Sequence, residues 1–257
     1  MKEELSQIAS RVREAVLGVA NSDNAKDVVG SGVDGAPSYR ADAVADRAAS
    51  EAIESLSLNM NVLSEESPYV DRGAEQTIII DPIDGSHNLI HGLPLYSVSL
   101  AVGSKSLSNV RYGLVMNIVT GDVFYAEKGK GAYLNDRPIH IRKYVEKESM
   151  FFIYMGANSS LNAYDVARKT SRVRSLGSAS LEMCYVASGV ADLYYMRCSD
   201  NNFALRIVDV AASSLILREA GGEVYDLTGN LFDMKLDITD RKGLLAVGDK
   251  DLRRLAI

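Results

Sequence analysis

The chain has 257 residues, of which 47% are apolar and 24% charged, and it carries a net charge of −6. That balance supplies a full core and excludes wholesale disorder, and the length suits one large α/β unit or two fused halves. Without a Lys/Arg block a nucleic-acid partner is not expected. No apolar run of about eighteen residues is present to span a membrane, and Cys184 and Cys198 show neither zinc-ribbon nor disulfide-framework spacing, so a reducing, cytoplasmic setting is expected.

Residues 4–20 place Leu5, Ile8, Ala9, Val12, Ala15, Val16 and Val19 at helical spacing, which predicts an opening amphipathic helix; its charged start does not read as a signal peptide. The stretch "NSDNAKDVVGSGVDGAPSY" is a loop by composition, with a mobile hairpin as one form of it. "RADAVADRAASEAIESL" returns to helix on its alanines. "MNVLSEES" reads as a short strand ending in acids, "QTIIID" as a buried strand stopped at Pro82, and "YSVSLAVG" as a half-buried strand. An antiparallel meander follows, with turns at Thr120-Gly121-Asp122, Gly129–Gly131 and Asn135-Asp136. Beyond residue 147 come a strand "FFIYMG", a helix "SASLEMCYVASG", a strand "ADLYYMR", a helix "DVAASSLILREAGG" and a strand "GEVYDLTG". The segment 142–150 is the expected seam between halves 1–147 and 148–257, and the fold class is mixed α/β (α+β).

Acids stand where these elements begin or end: Asp42, Glu65 and Glu66, Asp81 and Asp84, and Asp209. Singly, each has a plain reading as a helix cap, a solvated loop or a turn. Asp81 and Asp84 are different together. They follow a buried β-branched run, and Gly85 then permits a sharp turn, so both carboxylates can face one cavity with the Gly85-Ser86 amides beyond. Like charges in a buried space repel unless a cation lies between them, and Mg²⁺ favours carboxylates together with substrate phosphate.

The assembly "DGAPSYRAD", "LSEES", "DPIDGS", "RVRSLGSASLEMCYVASGVADLYY" and "DVAASSLILREAGG", in that order, resembles the inositol monophosphatase family of Mg²⁺-dependent sugar phosphatases, from about Val33 to Gly222. The likeness is greatest to its archaeal branch, in which one enzyme acts on inositol monophosphate and fructose 1,6-bisphosphate. Ser86 stands where the family usually has Thr, Val208 where it often has Trp, and Asn202 where animal members have an acid that contacts inositol hydroxyls. The resemblance implies a layered αβαβα sandwich and phosphomonoester hydrolysis with two or three Mg²⁺ ions. It also implies a homodimer, sometimes a tetramer, acting on a small sugar or inositol phosphate.

By that resemblance Glu65, Asp81, the Ile83 carbonyl, Asp84 and Asp209 would hold the cations. Ser86 with Asp42 would take a proton from the attacking water, Asp42 and Glu66 would reach a third, weaker metal brought in by loop 22–38, and Asp84 with the Gly85 and Ser86 amides would meet the phosphate. Gly177, Ser178 and Ala179 would face the sugar. Arg174 and Arg172 are expected to grip a second phosphate, with Arg206 a further candidate across a subunit boundary. Tyr154 is a pocket candidate, His87 a supporting neighbour, and Cys184 core. The alternatives are a 3′-phosphoadenosine 5′-phosphate phosphatase of the same superfamily and a non-catalytic regulator that binds Mg²⁺ and a sugar phosphate.

Overall fold

The computed structural model describes residues 1–256 apart from Asn21, Asp23, Asp34 and Ala36. Helix α1 (Lys2–Ala20) leads into a small antiparallel hairpin of β1 (Val28–Ser31) and β2 (Pro37–Tyr39), and α2 (Arg40–Ser55) then packs beside α1. Five more elements bring the chain to the end of its central strands: β3 (Asn61–Ser64), β4 (Thr77–Asp84), α3 (Ser86–Ile90), β5 (Ser97–Gly103) and β6 (Tyr112–Asn117). The meander closes with β7 (Val123–Glu127), β8 (Ala132–Leu134) and β9 (Arg137–Ile139). These strands form one seven-stranded sheet in sequence order, antiparallel except for β3 on β4.

The second half holds β10 (Phe151–Ile153), α4 (Leu161–Ala167), β11 (Val173–Arg174), α5 (Ala179–Ala187) and β12 (Leu193–Met196). Then come α6 (Ile207–Glu219), β13 (Glu223–Tyr225), β14 (Leu244–Val247) and α7 (Arg253–Ala256). Its sheet runs β11-β10-β12-β14-β13.

Strand alternation sorts the side chains into layers. On β4, Ile78 and Ile80 join the core with α1 and α2, whereas Ile79 joins a second core with α5 and α6. On the smaller sheet Phe152 and Tyr194 face that second core, while Phe151 and Tyr195 face a third with residues of α4. The result is the expected αβαβα sandwich. Gly113 of β6 lets α6 pack close on the large sheet: a Cβ there would stand 2.8 Å from the Ala212 carbonyl. No helix among the described residues is long and apolar enough to cross a membrane.

Two expectations need correction. Strand β5 is buried along its whole length, not on one face, because helices cover the large sheet on both sides. Strand β4 does not stop at Pro82: it continues to Asp84 through a bulge, in which Asp81 pairs with Ser99 and Asp84 with Ser97. A bulge tolerates the missing proline donor and lets the strand turn both aspartates toward one space.

Candidate active site

The bulge at the end of β4, the end of β3, the start of α6 and the turn before α5 meet around a cleft of about 290 Å³. One wall is acidic. Glu65, Asp81 and Asp209 each present an oxygen there, all within 4.8 Å of one another. Asp81 Oδ1 also accepts the Ile83 N–H at 3.0 Å. Asp84, on the same wall, is held from behind: its Oδ2 accepts from Ser178 Oγ at 2.7 Å, from the Ser180 N–H at 2.7 Å and from Ser180 Oγ at 2.5 Å. The rest of the lining includes a largely apolar group, Tyr154, Tyr194, Met196 and Leu205.

Asp42 and Asp209 share one local design. Each is the third residue of its helix rather than the cap expected from sequence, and each turns Oδ2 back to the N–H of the capping residue: Tyr39 at 2.9 Å, Arg206 at 2.7 Å. That bond fixes the rotamer and leaves Oδ1 for the site. Asp42 Oδ1 accepts from Ser86 Oγ at 2.6 Å, and the same hydroxyl lies 3.0 Å from the Ile83 carbonyl. Glu66 accepts from Ser38 Oγ of β2 at 2.6 Å, so the hairpin reaches the edge of the site. Asp23, Asp34 and Ala36, in the loop expected to bring in a third metal, lie outside the described residues.

Burial works against charge throughout the acidic wall. It pushes the Glu65 carboxyl up to about 7 against the pull of Arg206, and Asp84 up to about 6 against the hydrogen bonds from Ser180 and Ser178. Asp81 is raised by burial and by its neighbours Glu65 and Asp84; Asp42 and Glu66 are raised by burial, partly offset by their serine partners. An all-oxygen donor set of this kind, crowded and short of countercharge, fits a hard divalent cation.

Several expected substrate contacts lie elsewhere. Arg206 lines the cleft, but its Nη2 donates to Glu65 Oε1 at 2.5 Å and Asp209 Oδ1 at 3.0 Å, which makes it a partner of the acids first. Burial would lower its pKa, yet Asp209 and Glu65 together drive it above the ordinary arginine value. Arg172 and Arg174 do not line the cleft. Both are exposed at the sheet edge, where Arg172 donates to the Lys147 carbonyl and Arg174 to that of Val173. Ser178 is buried behind the wall as a donor to Asp84, while Gly177 and Ala179 do line the cleft.

Tyr154 and His87 line the cleft, and Cys184 is buried core. Sequence reasoning missed Ser180, Glu182 and the Tyr194–Met196 wall. Glu182 lines the cleft although only 3% exposed, and burial pushes its carboxyl up to about 8, opposed by the Leu176 N–H. An acid in the first turn of the otherwise apolar α5 was the available signal.

A sandwich with an acidic, cation-suited cleft between its sheets defines a class, the phosphoric monoester hydrolases of the sugar-phosphatase type. The comparisons place the chain within it: it belongs to the inositol monophosphatase family, whose profile matches residues 1–256. A fructose-1,6-bisphosphatase/inositol-1-monophosphatase of Methanothermobacter thermautotrophicus is 36% identical over 96% of this chain and 91% of its own. A bifunctional NADP phosphatase/NAD kinase of Methanococcus maripaludis is 31% identical over 95% of this chain and 46% of its own length. Among solved structures, an inositol monophosphatase–fructose 1,6-bisphosphatase superposes with a TM-score of 0.87 at 31% identity, covering 99% of this chain and 97% of that one.

Proposed function

We propose that this phosphatase hydrolyses inositol monophosphate and fructose 1,6-bisphosphate with Mg²⁺, through in-line attack of water on phosphorus. The observation that carries the reading is that the Glu65–Asp81–Asp209 trio and Ser86, hydrogen-bonded to Asp42, line one cleft. Glu65, Asp81, Asp84, Asp209 and the Ile83 carbonyl hold the cations. Mg²⁺, when bound, supplies Lewis-acid stabilisation of phosphoryl charge and a more acidic water.

The chain's own residues do the rest. Ser86 accepts the proton of the attacking water as its own passes to Asp42, whose carboxyl burial makes more basic than an exposed aspartate. The Gly85 and Ser86 amides receive phosphate oxygens. Gly177 and Ala179 meet the sugar, while the apolar wall excludes water behind it. Arg206 balances the acids.

A second reading, a nucleotide 2′- or 3′-phosphatase, is favoured by the NADP phosphatase relative and by the Tyr154–Tyr194 side of the cleft. One experiment separates the two: relative kcat/KM with Mg²⁺ over inositol 1-phosphate, fructose 1,6-bisphosphate, NADP and 3′-phosphoadenosine 5′-phosphate. The first pair is expected to lead. Preference for a nucleotide reverses the assignment, and tight binding without phosphate release on any of them makes the protein a regulator.

A further inference from the structure

Two buried side chains grip the backbone of a single residue, Leu176, from its two sides. Ser175 and Gly177 line the cleft, and the Leu176 N–H between them donates to Glu182 Oε1 at 2.9 Å. The Leu176 carbonyl accepts from Asn88 Nδ2 at 2.6 Å, and the same nitrogen donates to the Leu95 carbonyl at 2.6 Å. Glu182 stands in the first turn of α5 and Asn88 in α3, two residues after Ser86.

The fit around this residue is close. Gly177 has φ +79°, and a Cβ there would meet the Asn88 amide at 3.2 Å. The Gly177 carbonyl in turn lies 3.2 Å from where a Cβ on Gly85 would stand, so the two turns abut directly. A carboxyl buried this deeply is costly unless it is hydrogen-bonded. The hydrogen bonds that Glu182 receives come from the backbone of the 175–178 turn.

We infer that Glu182 and Asn88 are positioning residues that lock the 175–178 turn against the Gly85-Ser86 turn, and so set where the leaving group sits relative to the phosphoryl group. The inference rests on the phosphatase reading and takes from it only that the phosphate lies at Gly85-Ser86.

The test compares Glu182→Leu, Asn88→Ala and Glu182→Gln with the wild type by two readouts. In amide hydrogen exchange, Glu182→Leu speeds Leu176 roughly tenfold, the scale of one lost hydrogen bond, while Glu182→Gln, which keeps the acceptor, leaves it slow. In Mg²⁺ kinetics, Glu182→Leu and Asn88→Ala raise KM for inositol 1-phosphate and fructose 1,6-bisphosphate roughly tenfold with kcat within about threefold. Phenyl phosphate, whose leaving group offers the turn no hydroxyls, loses less than about threefold in kcat/KM, and Glu182→Gln restores wild-type values.

Unchanged Leu176 exchange in Glu182→Leu overturns the inference, as does an equal loss on all three substrates. Should Glu182→Leu not fold, Asn88→Ala carries the same comparison from the carbonyl side of Leu176. A wild-type enzyme inactive on every phosphate defeats the phosphatase reading instead, and the exchange data then judge the clamp alone.

Discussion

Asp84 shows how much of the site is made by side chains that never reach the substrate. Three donors from two serines converge on its Oδ2, and both serine hydroxyls also meet Ser97, whose Oγ is 2.8 Å from that of Ser180 and 3.3 Å from that of Ser178. The carboxylate is thereby fixed in the lining of the cleft. Asp84→Asn keeps the shape and an acceptor for those donors but removes the charge. We expect turnover to fall at least ~100-fold with Tm nearly unchanged, measured by steady-state kinetics and thermal denaturation; near-normal turnover would remove Asp84 from the cation set. Ser86→Ala makes a different prediction. The Ser86 hydrogen bond lowers a carboxyl that burial has raised, so its loss raises Asp42 further. A base acts only when ionised, so the acidic limb of the kcat profile should move to higher pH while kcat falls roughly 10–100-fold. An unmoved limb would separate Asp42 from the proton relay. Asp81 and Asp84 were legible as a pair because a buried strand and a Gly turn flank them, whereas Asp42 and Asp209, each a plain helix cap by local signal, were drawn to the site only through the family resemblance. Ser180 was not legible, since a serine in an apolar helix carries no local mark of the carboxylate it will meet 96 positions away.

The elements were legible wherever periodicity was long. Helices α1, α2, α5 and α6, the large sheet and the meander turns all stand where the pattern puts them, and Asn135 and Asp136 adopt the left-handed angles their hairpin requires (φ 48° and 64°). The short pieces, α4, β11, β14 and α7, went unread, because runs of two to seven residues owe their state to packing on neighbours rather than to propensity. Pro82 misled for a related reason: the local rule against proline in strands gave way to a bulge that the sheet supports. Helix α5 carries a prediction of its own through Glu182, whose carboxyl burial raises from 4.5 to about 8. Below pH 4.5 folded and unfolded chains both hold the proton, and the stability it contributes is fully present. From there to about 8 the folded chain keeps a proton the unfolded chain has lost, so stability falls with pH, by at most ~1.4 kcal/mol per unit; beyond 8 the loss is complete. Glu182→Gln does not titrate. Its stability relative to wild type, from urea denaturation, should therefore climb between pH 5 and 8 and then level off, whereas a flat difference would mean the folded carboxyl is already ionised at pH 5.

At the scale of the whole molecule, the two sheets share a core, and this decides how the halves 1–147 and 148–257 behave. Helix α6 belongs to the second half by sequence, yet Val210, Ala211 and Ala212 lie in one buried cluster with Ile79, Val115 and Phe124 of the large sheet as well as Phe152 and Tyr194 of the small one. The acidic wall is divided in the same way, with Glu65 and Asp81 from the first half and Asp209 from the second. We propose that the halves are layers of one cooperative unit rather than domains that unfold apart. A cation bound among acids from both halves then stabilises only the joined state. Calorimetry should give a single transition, and Mg²⁺ at about 100 times its Kd should add ~2.7 kcal/mol, raising Tm by roughly 5–10 °C over the EDTA-treated protein. Asp209→Asn should shrink that gain without splitting the peak, because it weakens the shared cation site and leaves the shared core intact. Two resolved transitions, with Mg²⁺ moving only one of them, would instead assign the cation to a half that folds alone. The α6 contacts would then be a docking interface rather than a common core.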